Sequence, residues 1–64
     1  METYRVDYII HNLSGLGFMH FYVRLDDNSD ISIQDQAYKH VYYNCQMYKQ
    51  KLFRESISVL KVNT

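Results

Sequence analysis

Apolar residues recur at every second position in two stretches near the start of the chain, residues 4–11 and residues 18–25. A period of two, with aromatic and β-branched side chains on one side, predicts a β-strand in each stretch. Residues 12–17 between them hold both glycines of the chain and predict the turn of a hairpin. The first half of the chain is therefore expected to form two paired antiparallel strands.

This hairpin has one wholly apolar face. A loop over residues 12–17 sets Tyr8 opposite Phe21 and Val6 opposite Val23. A slip of one residue would mix apolar and polar side chains, so the pattern specifies which of them point inward. The predicted inner face consists of Tyr4, Val6, Tyr8, Ile10, Met19, Phe21, Val23 and Leu25.

After a polar connector, apolar residues recur at the three- and four-residue spacing of a helix. The run Ser32-Ile33-Gln34-Asp35 has the spacing of a capping box and predicts a helix that starts at Ile33 and runs to about Lys51. Lys49 and Lys51 suit the C-terminal end of a helix, where the dipole favours cations. The β-branched residues of 56–62 predict a third strand. The predicted apolar stripe of the helix consists of Ile33, Ala37, Val41, Cys45, Tyr48 and Leu52.

These elements predict a single α+β domain over residues 1–64 in the order β-β-α-β. The helix covers the apolar face of the hairpin, and the third strand returns beside the first, antiparallel to it, in the sheet order 2-1-3. Both outer strands then have open edges, through which two copies could pair. A chain of 64 residues also buries a small fraction of its surface, so a homodimer is expected.

The composition adds an excess of aromatic residues and an uneven distribution of charge. Seven tyrosines and three phenylalanines occur with no tryptophan and no proline. Lysine and arginine balance aspartate and glutamate overall, but residues 1–35 carry a net −4 and residues 36–64 a net +4. This balance argues against a strongly basic nucleic-acid protein and equally against an acidic mimic of DNA. No apolar run approaches the roughly 18 residues of a membrane span, so a cytoplasmic protein without a membrane partner is expected.

The outer face of the predicted hairpin is the first candidate binding surface. It combines aromatic rings with arginine and histidine, residue types that are typical of interface cores. One alternative is an ordinary surface, with Asp7 neutralising the arginines and the loop covering Phe18. A second alternative is a platform on which nucleic-acid bases stack. The residues of this face are Arg5, Asp7, Ile9, His11, Phe18, His20, Tyr22 and Arg24.

The helix offers a second candidate surface. Tyr43 and Met47 lie one turn apart, on nearly the opposite side from the apolar stripe. An exposed pair of this kind is typical of a partner-binding surface. Tyr38 and Tyr42 lie beside the stripe instead, and are expected at the edge of the core with their hydroxyls in water.

No combination of residues supports catalysis or cofactor binding. The three histidines lack the spacing of metal ligands, and Cys45 lies in the apolar stripe without an activating base. The acidic connector, with Asp26, Asp27 and Asp30, lacks the glycine and the distal glutamate of a calcium loop. These aspartates are expected to complement the helix N-terminus instead. No enzymatic activity, metal or cofactor is therefore expected.

The layout resembles small proteins encoded by bacteriophages and mobile elements of bacteria. Four segments carry the resemblance: Tyr4-x-Val6-x-Tyr8, the glycines 15 and 17, Ser32-Ile33-Gln34-Asp35, and Ile57-x-Val59-Leu60. It implies an accessory or counter-defence factor, a dimeric binder that blocks a host enzyme, a defence nuclease or a repair glycosylase. The balanced charge departs from the acidic mimics of DNA among such blockers.

The sequence thus leads to a first hypothesis and two alternatives. The first is a small non-enzymatic inhibitor of a bacterial host or defence protein, acting through an aromatic-rich surface. The second is a binder of single-stranded nucleic acid or nucleotide that uses the outer face of the hairpin. The third is a structural module whose exposed aromatic residues meet only a second copy of the chain.

Overall fold

The fold is a three-stranded sheet with a helix on one face, in a computed structural model that describes residues 1–47 and 51–62. All strand pairs are antiparallel, and the strand order is β2-β1-β3. The predicted α+β class, the β-β-α-β element order and the sheet order 2-1-3 are confirmed. The described elements are β1 Glu2–Asn12, β2 Gly15–Leu25, α1 Ile33–Met47 and β3 Lys51–Lys61.

The turn between β1 and β2 is shorter than the predicted loop over residues 12–17. Only Leu13 and Ser14 lie between the strands, and Asn12 pairs directly with Gly15. The Asn12 side-chain oxygen accepts a hydrogen bond from the Ser14 amide at 2.9 Å, which closes the turn locally. Gly15 has a φ of +111°, a conformation that other residues adopt only with strain.

The predicted hairpin register is wrong by two residues because of this short turn. Tyr8 lies opposite Met19 rather than Phe21, and Val6 lies opposite Phe21 rather than Val23. A shift of two residues leaves every side chain on its predicted face, since the strand period is two. The inward residues of β1 are buried as predicted, whereas Met19 on β2 is 40% exposed.

The helix begins at the predicted residue and ends earlier than predicted. The Ser32 hydroxyl accepts a hydrogen bond from the Asp35 amide at 3.1 Å, and the Ser32 carbonyl accepts one from the Gln36 amide at 2.9 Å. Ser32 is therefore the N-cap of α1. The predicted helical run as far as Lys51 is wrong at its end, because Lys51 already belongs to β3. Tyr48, predicted in the apolar stripe, and Lys49, predicted at the C-terminal end of the helix, lie outside the described residues.

β3 starts at Lys51 rather than at residue 56, and it contains a bulge. Along β1, regular pairing with β3 stops after Asp7, which lies opposite Ser58. It resumes at Ile9, which lies opposite Phe53. One residue of β1 thus spans four residues of β3, which leaves three of them without a place in the ladder.

A serine side chain supplies hydrogen bonds that the backbone of β3 does not make at this bulge. The Ser56 hydroxyl accepts a hydrogen bond from the Ile9 amide at 2.8 Å and donates one to the Phe53 carbonyl at 2.5 Å. The odd number of extra residues also reverses the alternation of faces along β3. Leu52 before the bulge and Ile57 after it therefore both pack into the core, so the helical position predicted for Leu52 is wrong.

The core lies between α1 and the inner face of β1. Ala37 and Val41 of α1 are fully buried, and the small Ala37 side chain lets the helix approach the sheet closely. The helix packs mainly against β3 and less against β1 and β2. The inner face of β2 is therefore the least covered part of the sheet. The buried core consists of Tyr4, Val6, Tyr8, Ile10, Leu25, Ala37, Val41, Cys45 and Ile57.

The connector between β2 and α1 is tied to the sheet by Asp27. Its carboxylate accepts hydrogen bonds from the Tyr4 hydroxyl at 2.5 Å and from the Lys61 ammonium at 3.2 Å. The bond from Tyr4, together with Lys61, lowers the pKa of Asp27, and the same bond to Asp27 raises the pKa of Tyr4 to about 12. Asp27 therefore links two strands of the sheet, β1 and β3. The sequence had predicted instead that it complements the positive end of the helix dipole.

Candidate binding surface

The face of the sheet opposite α1 is not covered by any element of the described chain. Residues that pair across two strands share a face, so odd-numbered residues of β1 and even-numbered residues of β2 lie together there. We call this surface the open face. Its described residues are Thr3, Arg5, Asp7, Ile9, His11, Leu16, Phe18, His20, Tyr22, Arg24, Lys51, Phe53, Ser58 and Leu60.

An apolar row crosses all three strands of the open face. Ile9 on the central strand lies between Phe18 on β2 and Phe53 on β3. The Phe18 side chain is 79% exposed and that of Phe53 is 38% exposed. The His11 ring meets the Phe53 ring edge to face, with 6.5 Å between their centres. This row therefore presents apolar surface to the outside of the sheet rather than to the core.

A second row combines aromatic, charged and aliphatic side chains. Arg5 lies between Tyr22 on β2 and Leu60 on β3, and both neighbours are more than half exposed. The Arg5 guanidinium donates two hydrogen bonds to one Asp7 oxygen, at 3.1 and 3.2 Å. Asp7 accordingly raises the pKa of Arg5. The centre of the open face therefore carries a paired charge surrounded by apolar groups.

His20 and Arg24 complete the open face along β2. His20 lies directly opposite Asp7, and its ring meets the Tyr22 ring edge to face with 6.3 Å between the centres. Arg24 donates a hydrogen bond to the Met1 carbonyl at 3.0 Å. Asp7 thus binds Arg5, whereas the guanidinium of Arg24 bonds to backbone.

Six of the predicted site residues come together on the open face. The loop that would cover Phe18 in the alternative of an ordinary surface is absent from the described chain, because the turn has only two residues. Sequence analysis missed three further apolar members of the surface. Phe53 was placed outside the third strand, and the faces of Leu16 and Leu60 were not assigned. The six predicted members are Arg5, Asp7, Phe18, His20, Tyr22 and Arg24.

The other predicted surface lies on α1, away from the open face. Tyr43 is 65% exposed and lines a shallow groove of about 410 Å³ together with Gln36 and His40. The Met47 side chain, predicted to pair with Tyr43, lies outside the described residues. The predicted site residues therefore fall on two separate surfaces of the protein.

The tyrosines beside the apolar stripe pack against β3. Tyr38 is half-buried against the core, as expected of a core-edge residue, while Tyr42 is exposed. The Arg54 guanidinium carbon lies 4.2 Å from the centre of the Tyr38 ring, which is a cation–π contact. The Tyr42 ring lies 5.8 Å from the Tyr38 ring. These contacts hold the bulged segment of β3 against the helix.

In residues 1–47 and 51–62, no three side chains of histidine, cysteine, aspartate or glutamate are grouped so that they could bind a metal ion. Cys45 is buried, and burial raises the pKa of its thiol. Across the same residues no helix has both the length and the apolar character needed to cross a membrane.

Comparison of this chain with protein-family models, characterised proteins and solved structures finds no match. The resemblance to small phage-encoded proteins therefore stays a prediction. Function has to be argued from the open face and the edges of the sheet.

Proposed function

We propose that this chain is a non-enzymatic binding protein that engages another protein through the open face. The observation that carries the proposal is the set of large apolar side chains that surround the Arg5–Asp7 ion pair while the core lies on the other side of the sheet. Phe18 is 79% exposed and Tyr22 is 59% exposed, so neither side chain belongs to the buried core. Aromatic residues and arginine are the residue types that contribute most energy at protein interfaces.

The open face suits a partner surface with an apolar centre and acidic groups at its rim. The row of Phe18, Ile9 and Phe53 supplies apolar contact area. Arg24, at the end of the face, supplies a guanidinium group that binds carboxylates in a planar, two-point geometry. Such a distribution matches the usual anatomy of an interface, an apolar core with a polar rim.

The charge of the open face favours a protein over a nucleic acid. A nucleic-acid platform needs a continuous basic stripe that follows the phosphates, beside the aromatic rings on which bases stack. Here the central Arg5 is bound to Asp7 at 3.1 Å, so it does not supply an unopposed positive charge. Base stacking on Phe18 and Tyr22 is kept as an outcome of the experiment below.

As its particular role, we propose inhibition of a bacterial host or defence protein in the cytoplasm of an infected cell. The resemblance to small phage-encoded accessory proteins supports this setting. The balanced charge of the chain supports contact through apolar and aromatic surface rather than imitation of DNA. In this role the protein covers a site on its target and performs no reaction of its own.

A pull-down with matched variants tests the binding surface. The tagged chain captures proteins from bacterial lysate with and without nuclease treatment, and mass spectrometry quantifies what is recovered. The double variant Phe18→Ala/Tyr22→Ala removes the two aromatic anchors of the open face. Tyr43→Ala is the matched control, since Tyr43 is as exposed as Tyr22 but lies on α1.

The expected result is one protein in near-stoichiometric amount with the parent chain and with Tyr43→Ala. The double variant should recover at least about tenfold less, because each anchor contributes more than about 1 kcal/mol at an interface centre. Loss with Tyr43→Ala alone would move the binding surface to α1. Capture that disappears on nuclease treatment would point to nucleic acid and overturn the proposal.

A further inference from the structure

The two edges of the sheet differ in how well they are protected against pairing with another strand. β3 has a bulge and carries lysine at both ends, features that natural proteins use to block an edge. β2 pairs with β1 over eleven residues without a break, and it has no proline, no lysine and one formal charge, on Arg24. Nothing in the described chain pairs with its outer side. This edge is therefore a regular, unprotected template for a further strand.

The hydrogen bonds of β1 show which backbone groups of β2 point outward. The Ile9 amide donates to Ser56 and the Thr3 carbonyl accepts from Val62, so the odd-numbered residues of β1 bond toward β3. The even-numbered residues of β1 then bond to β2, where their partners are odd-numbered. The outward N–H and C=O groups of β2 thus belong to Leu16, Phe18, His20, Tyr22 and Arg24.

We propose that a second copy of the chain occupies this edge, with β2 antiparallel to β2 in a continuous six-stranded sheet. Pairing of the whole strand Gly15–Leu25 with its copy centres the two-fold axis on His20. Phe18 then lies opposite the partner's Tyr22, an aromatic cross-strand pair that is favourable.

The charges on the two strands are compatible with this register. Arg24 lies opposite the partner's Leu16, so the two arginines are kept apart. The two His20 side chains lie side by side at the axis, and each has the Asp7 carboxylate of its own chain opposite it on β1. Arg5, bound to that carboxylate, and Tyr22 are the other titratable groups near each imidazole. Each imidazole therefore meets its copy with a carboxylate directly opposite on the neighbouring strand.

The pairing would also cover surface that one copy leaves open. Four large apolar residues of β2 are exposed, and they lie on both faces of the strand: Leu16, Phe18, Met19 and Tyr22. An aromatic side chain buries roughly 150–250 Å² when fully covered. A stable interface needs about 800 Å² from each partner. A paired strand of eleven residues with these side chains supplies part of that area.

The dimer does not depend on the proposed function. It forms through the backbone edge of β2 and sets Phe18 beside the partner's Tyr22, whereas binding of another protein uses the outward surface of these same side chains. It would place two open faces side by side in one sheet, and so give a target two adjacent contact surfaces. The two proposals are tested by different readouts and can fail separately.

Cysteine crosslinking tests both the edge and the register. In a Cys45→Ala background, His20→Cys places a thiol opposite its own copy, with Cα atoms about 5.5 Å apart, within the range of a disulfide. Phe18→Cys is the register control, because its copy lies about 13 Å away along the strand. Ser58→Cys is the control on the β3 edge. Mild oxidation should crosslink His20→Cys at least about tenfold faster than either control.

Sedimentation equilibrium of the otherwise unmodified chain provides the second measurement. A dimer is expected, and His20→Lys should raise its dissociation constant about tenfold or more by setting two ammonium groups opposite each other. Leu60→Lys makes the same change on β3 and should leave the dimer intact. A monomer at 100 μM (about the upper end of useful concentration) would overturn the proposal. Equal crosslinking of Ser58→Cys, or dissociation by Leu60→Lys alone, would also overturn it.

Discussion

The Ser56 hydroxyl replaces a backbone carbonyl of β3 as the acceptor for the Ile9 amide. The amide nitrogen and the hydroxyl oxygen are 2.8 Å apart, and the same hydroxyl donates to the Phe53 carbonyl at 2.5 Å. One side chain therefore satisfies two backbone groups that the bulge would otherwise leave unpaired. The bulge depends on a hydroxyl at this position.

Ser56→Ala should destabilise the protein by about 1–3 kcal/mol, because it leaves the partly buried Ile9 amide without an acceptor. Urea unfolding followed by circular dichroism measures the change. Ser58→Ala is the control, since Ser58 is an exposed serine on the same strand; its effect should stay within about 0.5 kcal/mol. Equal losses in the two variants would show that the Ser56 contacts do not stabilise the bulge.

Stability should fall in alkaline solution between pH 10 and pH 12 because of Tyr4. The hydrogen bond to Asp27 raises the pKa of Tyr4 from 10.0 to about 12, so the folded protein holds the phenol proton more tightly than the unfolded chain does. This contribution is complete below pH 10 and is lost as the pH rises through the folded-state value. Urea unfolding at a series of pH values should show the decline.

Tyr4→Phe should flatten this alkaline decline, and Tyr42→Phe should leave it unchanged. Tyr42 is exposed, which makes it a matched tyrosine without a buried partner contact. The residual slope in Tyr4→Phe is expected from Tyr8, whose pKa is raised by burial. An unchanged slope in Tyr4→Phe would contradict the assignment of the decline to the Tyr4–Asp27 bond.

The Cys45 thiol should react slowly in the folded protein. It is 3% exposed, and burial raises its pKa, so both access and thiolate formation are reduced. Labelling by a disulfide reagent at pH 8 should be at least about 100-fold slower in native buffer than in denaturant, since it requires local opening. An added Ser58→Cys thiol should label quickly in both conditions. Rapid native labelling of Cys45 would show that α1 does not pack against the sheet as described.

Gly15→Ala should destabilise the hairpin through the backbone alone. Gly15 has a φ of +111°, and a Cβ built on it meets no atom within 4 Å. The expected loss is therefore the strain of a left-handed residue, about 1–3 kcal/mol. Ser14→Ala, one residue earlier, removes an exposed side chain and should have little effect. A neutral Gly15→Ala would mean that the turn relaxes to another conformation.

The faces of the hairpin could be predicted from the sequence, but its register could not. Period-two alternation specifies which side chains point inward, and a shift of the pairing register by two residues leaves them all on the same face. Tyr8 opposite Met19 and Tyr8 opposite Phe21 are therefore equally compatible with the pattern. The signal that distinguishes them is the turn itself, where Asn12 and Gly15 are the residue types that close a short hairpin.

The start of β3 was mispredicted because Leu52 fits two periods. It continues the helical spacing of Val41 and Cys45, and it also fits a strand that packs inward. The bulge that follows leaves an odd spacing between Leu52 and Ile57, which hides the strand alternation. Phe53, and with it one third of the apolar row on the open face, could not be placed for the same reason.

The bulge in β3 has a consequence for how far assembly of this protein can proceed. A sheet with two equivalent free edges can add copies at both ends, and repeated addition produces a fibre. Here one edge is regular and the other is interrupted between Asp7 and Ile9. Once a second copy occupies the regular edge, both ends of the combined sheet are β3. In the proposed dimer the irregular strand would thus terminate growth and leave a closed particle of fixed size.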